Sequence, residues 1–199
     1  MLSIEKEEKA PCIWVYKNAF DSKNFCELVE EETEKDWPYI DWVYSSTGDD
    51  QDRQTSEYRT SLEMSMNLFF SETINKNLKH IQDLFLKDIF SKIDECVWDY
   101  RTCFDLHLNA DSGYALLKYL DGGEYHIHHD HSSSNGRVLS LVACLGDDFE
   151  GGELEFNNFD LTIKLEKNSL VLFPSNFPYT HIAHPVKSGV KYSLVTWYI

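Results

Sequence analysis

The spacing of hydrophobic positions changes near residue 110. Before it, apolar residues recur at helical intervals. Phe25, Leu28 and Val29 follow Asp21, a residue suited to cap a helix, and the acidic run Glu30-Glu31-Glu32 comes next. That run reads as a solvated face. A longer helix is expected from about Ser71, with Ile74, Leu78, Ile81, Phe85, Ile89 and Ile93 along one side. Between the two lies Ser45 to Ser61, reading SSTGDDQDRQTSEYRTS, which is long for a connection in a compact domain and serves as a surface loop or a lid. After residue 110 short runs of alternating, β-branched and aromatic residues take over: Tyr114 to Leu120, Arg137 to Leu145, Glu153 to Phe156, Leu161 to Leu165, Ser169 to Phe173 and Lys191 to Tyr198. Asp121-Gly122-Gly123, Gly151-Gly152 and Asn157-Asn158 punctuate them. About eight short strands at this spacing predict a jelly roll or barrel. The expected fold class is α+β: one domain over 1–199, with a mainly helical support and loop in 1–110 packed on one sheet of a β core in 111–199.

Composition narrows the possibilities. Hydrophobic residues at 42% and aromatics at 14% exclude a disordered chain. Eighteen Lys+Arg against 34 Asp+Glu give 18 − 34 = −16, which argues against a nucleic-acid partner, since affinity for a phosphate backbone comes mainly from cations. No apolar run reaches the ~18 residues of a membrane span. The segment from Met1 to Pro11 is charged rather than signal-like, so no membrane association is expected. Five scattered cysteines without a CxxC pair read as reduced thiols of a cytoplasmic protein. Nothing in the sequence sets an oligomeric state.

The chemistry sits in the histidines. His80 and His107 stand alone in helical context, whereas His126, His128, His129 and His131 crowd around Asp130, and His181 and His184 form a second group. In an extended strand residues two apart share a face, so His128 and Asp130 can offer an imidazole and a carboxylate to one ion. His181, 53 residues later, lies in another strand-like run. Two histidines and one carboxylate on the inside of a barrel make the facial triad of non-haem Fe(II) oxygenases, which leaves coordination positions open. Rival pairs, His126 with His128 or His129 with His131, compete for the same role. A cupin-type site lacks its glutamate, because residues 131–134 read His-Ser-Ser-Ser. Ten residues past His181, Lys191 and Ser193 lie two apart on one strand face, where an ammonium and a hydroxyl can hold the far carboxylate of a dicarboxylate chelating the iron.

Over roughly Ala110 to Ile199 the chain resembles the prolyl 4-hydroxylase branch of the Fe(II)/2-oxoglutarate-dependent dioxygenases. The resemblance rests on Tyr119-x-x-Gly122-Gly123-x-Tyr125-x-x-His128-x-Asp130 and Phe149-x-Gly151-Gly152-Glu153-Leu154. It continues through Phe173-Pro174-Ser175, His181-x-x-x-Pro185-Val186-x-x-Gly189-x-Lys191 and Trp197. It implies a double-stranded β-helix core, His128, Asp130 and His181 as iron ligands, Lys191 on 2-oxoglutarate with Tyr119 also touching it, and ascorbate as reductant. Spacing from Gly123 and Tyr125 in that motif favours His128 over its neighbours. His126 is then a candidate behind the ligands or facing substrate, and His184 faces outward. The N-terminal half matches only through a strand-then-helix opening and Arg59-Thr60-Ser61.

The resemblance makes a peptidyl proline the expected target, oxidised by O₂ while 2-oxoglutarate becomes succinate. Arg137, Trp197, Tyr125, His126 and Arg59 are the substrate-side candidates, and the 45–61 loop with Arg53, Tyr58 and Arg59 could close over a bound chain. Two alternatives stand beside this reading: a 2-oxoglutarate oxygenase acting on another side chain, a free amino acid or a small molecule, and a catalytically silent β-sandwich whose histidines hold a structural metal.

Overall fold

The computed structural model describes residues 4–35, 40–46, 57–70 and 78–199. Its main element is an eight-stranded antiparallel sheet in the order β1-β2-β11-β7-β14-β5-β4-β3. These strands are β1 (Glu5–Ala10), β2 (Ile13–Lys17), β3 (Val43–Tyr44), β4 (Leu62–Ser65), β5 (Ala115–Tyr119), β7 (Leu139–Cys144), β11 (Ser169–Pro174) and β14 (Lys191–Tyr198). A smaller sheet, ordered β10-β9-β12-β6, holds β6 (Tyr125–His128), β9 (Leu154–Phe156), β10 (Leu161–Ile163) and β12 (His181–Ala183). A third pair joins β8 (Phe149–Gly151) to β13 (Val186–Gly189). This is the expected α+β jelly roll.

The central strands are apolar at nearly every position because both of their faces are covered. In β11, Leu170 and Leu172 enter the core formed with the helices, whereas Val171 and Phe173 enter the core between the sheets with Ile13, Leu154, Phe156 and Ile163. The helices are α1 (Phe25–Thr33), α2 (Lys79–Leu84) and α3 (Ser91–Cys103), the last two continuous through a π-helical segment at Phe85–Phe90. Phe25, Val29, Ile81, Phe85, Ile89 and Ile93 meet the sheet, so the periodicity read from the sequence does select the packed face.

Three N-terminal expectations change. The first half adds four strands to the main sheet. The run Glu5–Ala10 (EKEEKA) carries no alternation because β1 is an exposed edge strand, defined only by its pairing with β2. Asp21 does not cap α1: the helix starts after Asn24 without a side-chain cap bond, and Asp21 Oδ1 accepts instead from the Lys23 N–H at 3.1 Å. The acidic run is not simply solvated. Glu30 accepts from Tyr192 Oη (2.6 Å) and Trp42 Nε1 (3.2 Å) and pairs with Lys118 (2.7 Å), and Glu32 is buried with Lys35 at 2.8 Å. The start of the second helix at residues 71–77 and most of the proposed lid loop, 47–56, including Arg53, lie outside the described residues. No described helix is long and apolar enough to cross a membrane, and the cysteines are free thiols.

Candidate active site

The two sheets bring three side chains together. β6 and β12 are antiparallel neighbours with His181 opposite His128, and Asp130 follows the end of β6. The ligand-capable atoms of His128, Asp130 and His181 lie within 4.8 Å of one another. His128 Nε2 is 3.6 Å from Asp130 Oδ1, and His181 Nε2 is 3.8 Å from Oδ2. Each imidazole is oriented by its own backbone: His128 Nδ1 meets the His126 carbonyl at 2.7 Å, and His181 Nδ1 meets the Tyr179 carbonyl at 3.1 Å. A carbonyl can only accept, so each Nδ1 carries the proton and each Nε2 turns a lone pair to the centre.

The rival histidines are directed elsewhere. Between the pairs His181–His128 and Ala183–Tyr125 the register shifts, so β6 holds an extra residue and the strict two-residue alternation fails. His126 meets Glu124 at 3.2 Å and stands edge-on to Tyr58 at 4.8 Å. His129 is exposed, and His131 Nδ1 meets the Arg137 carbonyl at 2.8 Å. His184 points away from the centre, to Glu155 at 2.6 Å.

Burial, helped by the neighbouring His181, holds the His128 pKa well below its ordinary 6.5, at about 3. For Asp130, burial acts upward but is outweighed by the two imidazoles, by the Ser140 hydrogen bond and by the Trp197 indole, which leave it lowered. At neutral pH the cluster is thus a carboxylate beside an uncharged His128. Linkage gives a testable consequence. Between about pH 6.5 and 3 the unfolded chain protonates His128 and the native state does not, so U binds more protons than N and stability falls as pH falls. The metal-free protein should lose up to about 1.4 kcal/mol per pH unit through this group on acidification below 6.5. Urea titrations at several pH values on wild type and His128→Asn check this: the variant should lack that share of the slope.

The neighbouring strands carry the second group of expected residues. Lys191 is buried, its Nζ donating to the Gly152 carbonyl at 2.6 Å and lying 5.3 Å from the Tyr119 ring. Among the described residues no carboxylate forms an ion pair with it, and burial lowers its pKa. Ser193, two residues along the same face, is buried with no partner for its Oγ. Gly152 allows the lysine to pass: its φ is +66°, and a Cβ there would lie 2.9 Å from Lys191 Cδ. Val142, Phe149 and Leu154 wall the narrow cavity at this point. Tyr119 is buried.

The substrate-side candidates fall in two places. Tyr125 stacks on His128 with ring centroids 3.5 Å apart, and the Arg59 guanidinium lies 5.0 Å from the Tyr125 ring. Arg59 pairs with Glu63 at 3.4 Å and donates to the Ser46 carbonyl, leaving a buried Nε without a partner. On the other side Arg137 lies 3.6 Å from the Trp197 ring centroid. The sequence motifs include Gly152 and Ser175 without assigning either a role, and sequence reading missed Ser140. A serine at position 140, inside the apolar run Leu139 to Leu145, was the available signal for a polar group facing inward.

Comparison with known proteins agrees with this geometry. Residues 114–199 match the 2OG-Fe(II) oxygenase superfamily. A PKHD-type hydroxylase of Synechococcus sp. (strain CC9902) is 35% identical over 81 residues, covering 39% of this chain and 36% of that protein, so the match spans about a third of the relative. Among solved structures, a prolyl hydroxylase from Trichoplax adhaerens, in complex with a hypoxia inducible factor oxygen degradation domain peptide fragment, superposes with a TM-score of 0.72 at 15% identity over 94% of this chain and 83% of that one. A Pseudomonas putida prolyl-4-hydroxylase gives 0.65 at 16% identity over 94% and 91%. A viral collagen prolyl hydroxylase from Paramecium Bursaria Chlorella virus-1 gives 0.63 at 17% over 94% and 95%. At these identities the solved structures establish the shared fold.

Proposed function

We propose that this chain, whose residues 114–199 match the 2OG-Fe(II) oxygenase superfamily, is an Fe(II)- and 2-oxoglutarate-dependent dioxygenase that hydroxylates a prolyl residue in a peptide or protein. The observation that carries the reading is Lys191. An ammonium buried against one backbone carbonyl, beside a buried hydroxyl that bonds to nothing, is a costly arrangement unless an anion completes both. The far carboxylate of 2-oxoglutarate is such an anion. The donor set fits Fe(II) equally: two imidazole nitrogens and one carboxylate, converging from one side.

In this reading His128, Asp130 and His181 hold the metal, and Lys191 Nζ with Ser193 Oγ hold the far carboxylate. The Tyr119 ring forms one side of that pocket, and Val142, Phe149 and Leu154 keep water from it. Iron and 2-oxoglutarate together supply the oxidation, in which O₂ gives one oxygen atom to a substrate C–H bond and one to succinate as CO₂ leaves. Because His128 is uncharged at neutral pH, binding a dication there displaces no proton from its ring. Tyr125, Arg59, His126, Arg137 and Trp197 stand on the substrate side. A prolyl target is supported by the prolyl hydroxylases that share this fold, one of them solved with a peptide. Ascorbate as reductant and a reducing, cytoplasmic setting complete the proposal.

The deciding experiment measures succinate from anaerobically Fe(II)-loaded protein with 2-oxoglutarate, ascorbate and O₂, with and without a proline-rich peptide. Peptide is expected to stimulate turnover severalfold, with a mass gain of one oxygen on proline. Slow turnover unchanged by peptide would instead support a non-prolyl or small-molecule substrate. Metal binding without any turnover would support the silent β-sandwich.

A further inference from the structure

The Asp130 carboxylate has two side chains of the main sheet behind it. Ser140 Oγ donates to Oδ2 at 2.6 Å, and the Trp197 indole acts with it to favour the ionised carboxylate. Both side chains come from one rung of the main sheet, where Trp197 on β14 is directly opposite Ser140 on β7, whereas Asp130 follows β6 of the smaller sheet. The Ser140–Asp130 bond therefore ties the two sheets together. Each of the two side chains is itself held. Ser140 Oγ is 2.8 Å from Ser175 Oγ, and because its own proton goes to Asp130, Ser175 is the donor in that pair. The Ser175 carbonyl accepts the Asp130 and His131 N–H groups at 3.0 and 2.9 Å. Arg137 covers the Trp197 ring at 3.6 Å while its Nη1 reaches the Asp130 carbonyl at 3.4 Å. Ser140 is fully buried and Asp130 is 8% exposed, so water is a poor replacement for the bond between them.

We infer that Ser140 and Trp197 are positioning residues for Asp130 and that Arg137 acts both through Trp197 and through its bond to the Asp130 carbonyl. The Ser140 bond to Oδ2, with the Trp197 indole across the same rung, fixes the carboxylate's rotation about the Cβ–Cγ bond and holds it toward the two Nε2 atoms. Trp197 and Arg137 thus contribute to metal binding before any substrate arrives. This rests on the reading of Asp130 as a metal ligand.

The test is Co(II) titration of the metal-free full chain, followed by visible absorption, with urea unfolding of each variant as the folding control. Asp130→Ala should abolish the site. Ser140→Ala and Trp197→Phe should each weaken Co(II) binding about tenfold, as loss of a partner behind a metal ligand does. Ser140→Thr, which keeps the hydroxyl, should stay within about twofold of wild type. Arg137→Met should weaken binding in the wild-type background and weaken Trp197→Phe by less, since part of its effect passes through the indole and part through its own bond to the Asp130 carbonyl. Wild-type affinity in Asp130→Ala would remove the metal site itself. Loss there with unchanged affinity in Ser140→Ala and Trp197→Phe would overturn the positioning roles alone. Should Ser140→Ala fail to fold, Trp197→Phe decides.

Discussion

Replacing His181 with alanine is expected to abolish Fe(II)-dependent succinate formation, by more than the roughly ten- to hundredfold that follows loss of a group behind a ligand. His181 is 4% exposed and its orientation is set twice, by the Tyr179 carbonyl on Nδ1 and by rings of Phe173 and Phe156 at 4.9 and 5.8 Å. Removing it leaves one imidazole and one carboxylate, a pair that water competes with successfully. The same aromatic packing means that alanine opens a cavity and lowers stability by an estimated few kcal/mol. His181→Gln fills more of that space and should lose turnover in the same way. Succinate formation and Co(II) titration on both variants, each shown by circular dichroism to be folded, check the prediction; turnover near wild type in folded His181→Gln would remove His181 from the site.

Lys191→Ala should raise the 2-oxoglutarate concentration for half-maximal turnover by about a hundredfold, because truncating one side of a buried charged pair costs about 2–5 kcal/mol. Metal affinity should be nearly unchanged, as the lysine touches none of the three ligands. The protein without co-substrate should be no less stable, and more stable if the cavity repacks, since the change removes a buried ammonium whose pKa burial already lowers. A lysine kept for structure would give the opposite pattern, with stability lost and 2-oxoglutarate dependence unmoved. Steady-state kinetics over a wide 2-oxoglutarate range, paired with urea unfolding, separates the two.

Much of this site is legible in one dimension. Lys191 and Ser193 share a face because a strand alternates every two residues, and the alternating residues of β14 indeed place both inside with Val195 and Trp197. Residue chemistry marks imidazole and carboxylate as ligands and a buried lysine as an anion holder. Helical spacing picks out the packed sides of α1, α2 and α3 even though the Asp21 cap does not form. Elsewhere local pattern misleads. EKEEKA has the composition of a solvated segment and becomes a strand only through its partner. Glu30 sits in an acidic run, yet Trp42, Lys118 and Tyr192, brought from three other places in the chain, make it part of a packed polar cluster.

The sequence by itself determined the residue types, their phase along each strand and therefore which side chains can share a face. Those are properties of neighbours one to four residues apart. Which histidines meet was decided only in three dimensions. His128 and His181 become partners through the register of β6 on β12, and the extra residue in β6 turns His126 toward Glu124 and Tyr58. The support of Asp130 has the same origin, since Ser140, Ser175 and Trp197 reach it from two other strands and a following loop. Register and inter-sheet contact depend on the summed packing of residues far apart along the chain, and no short window of sequence encodes that sum.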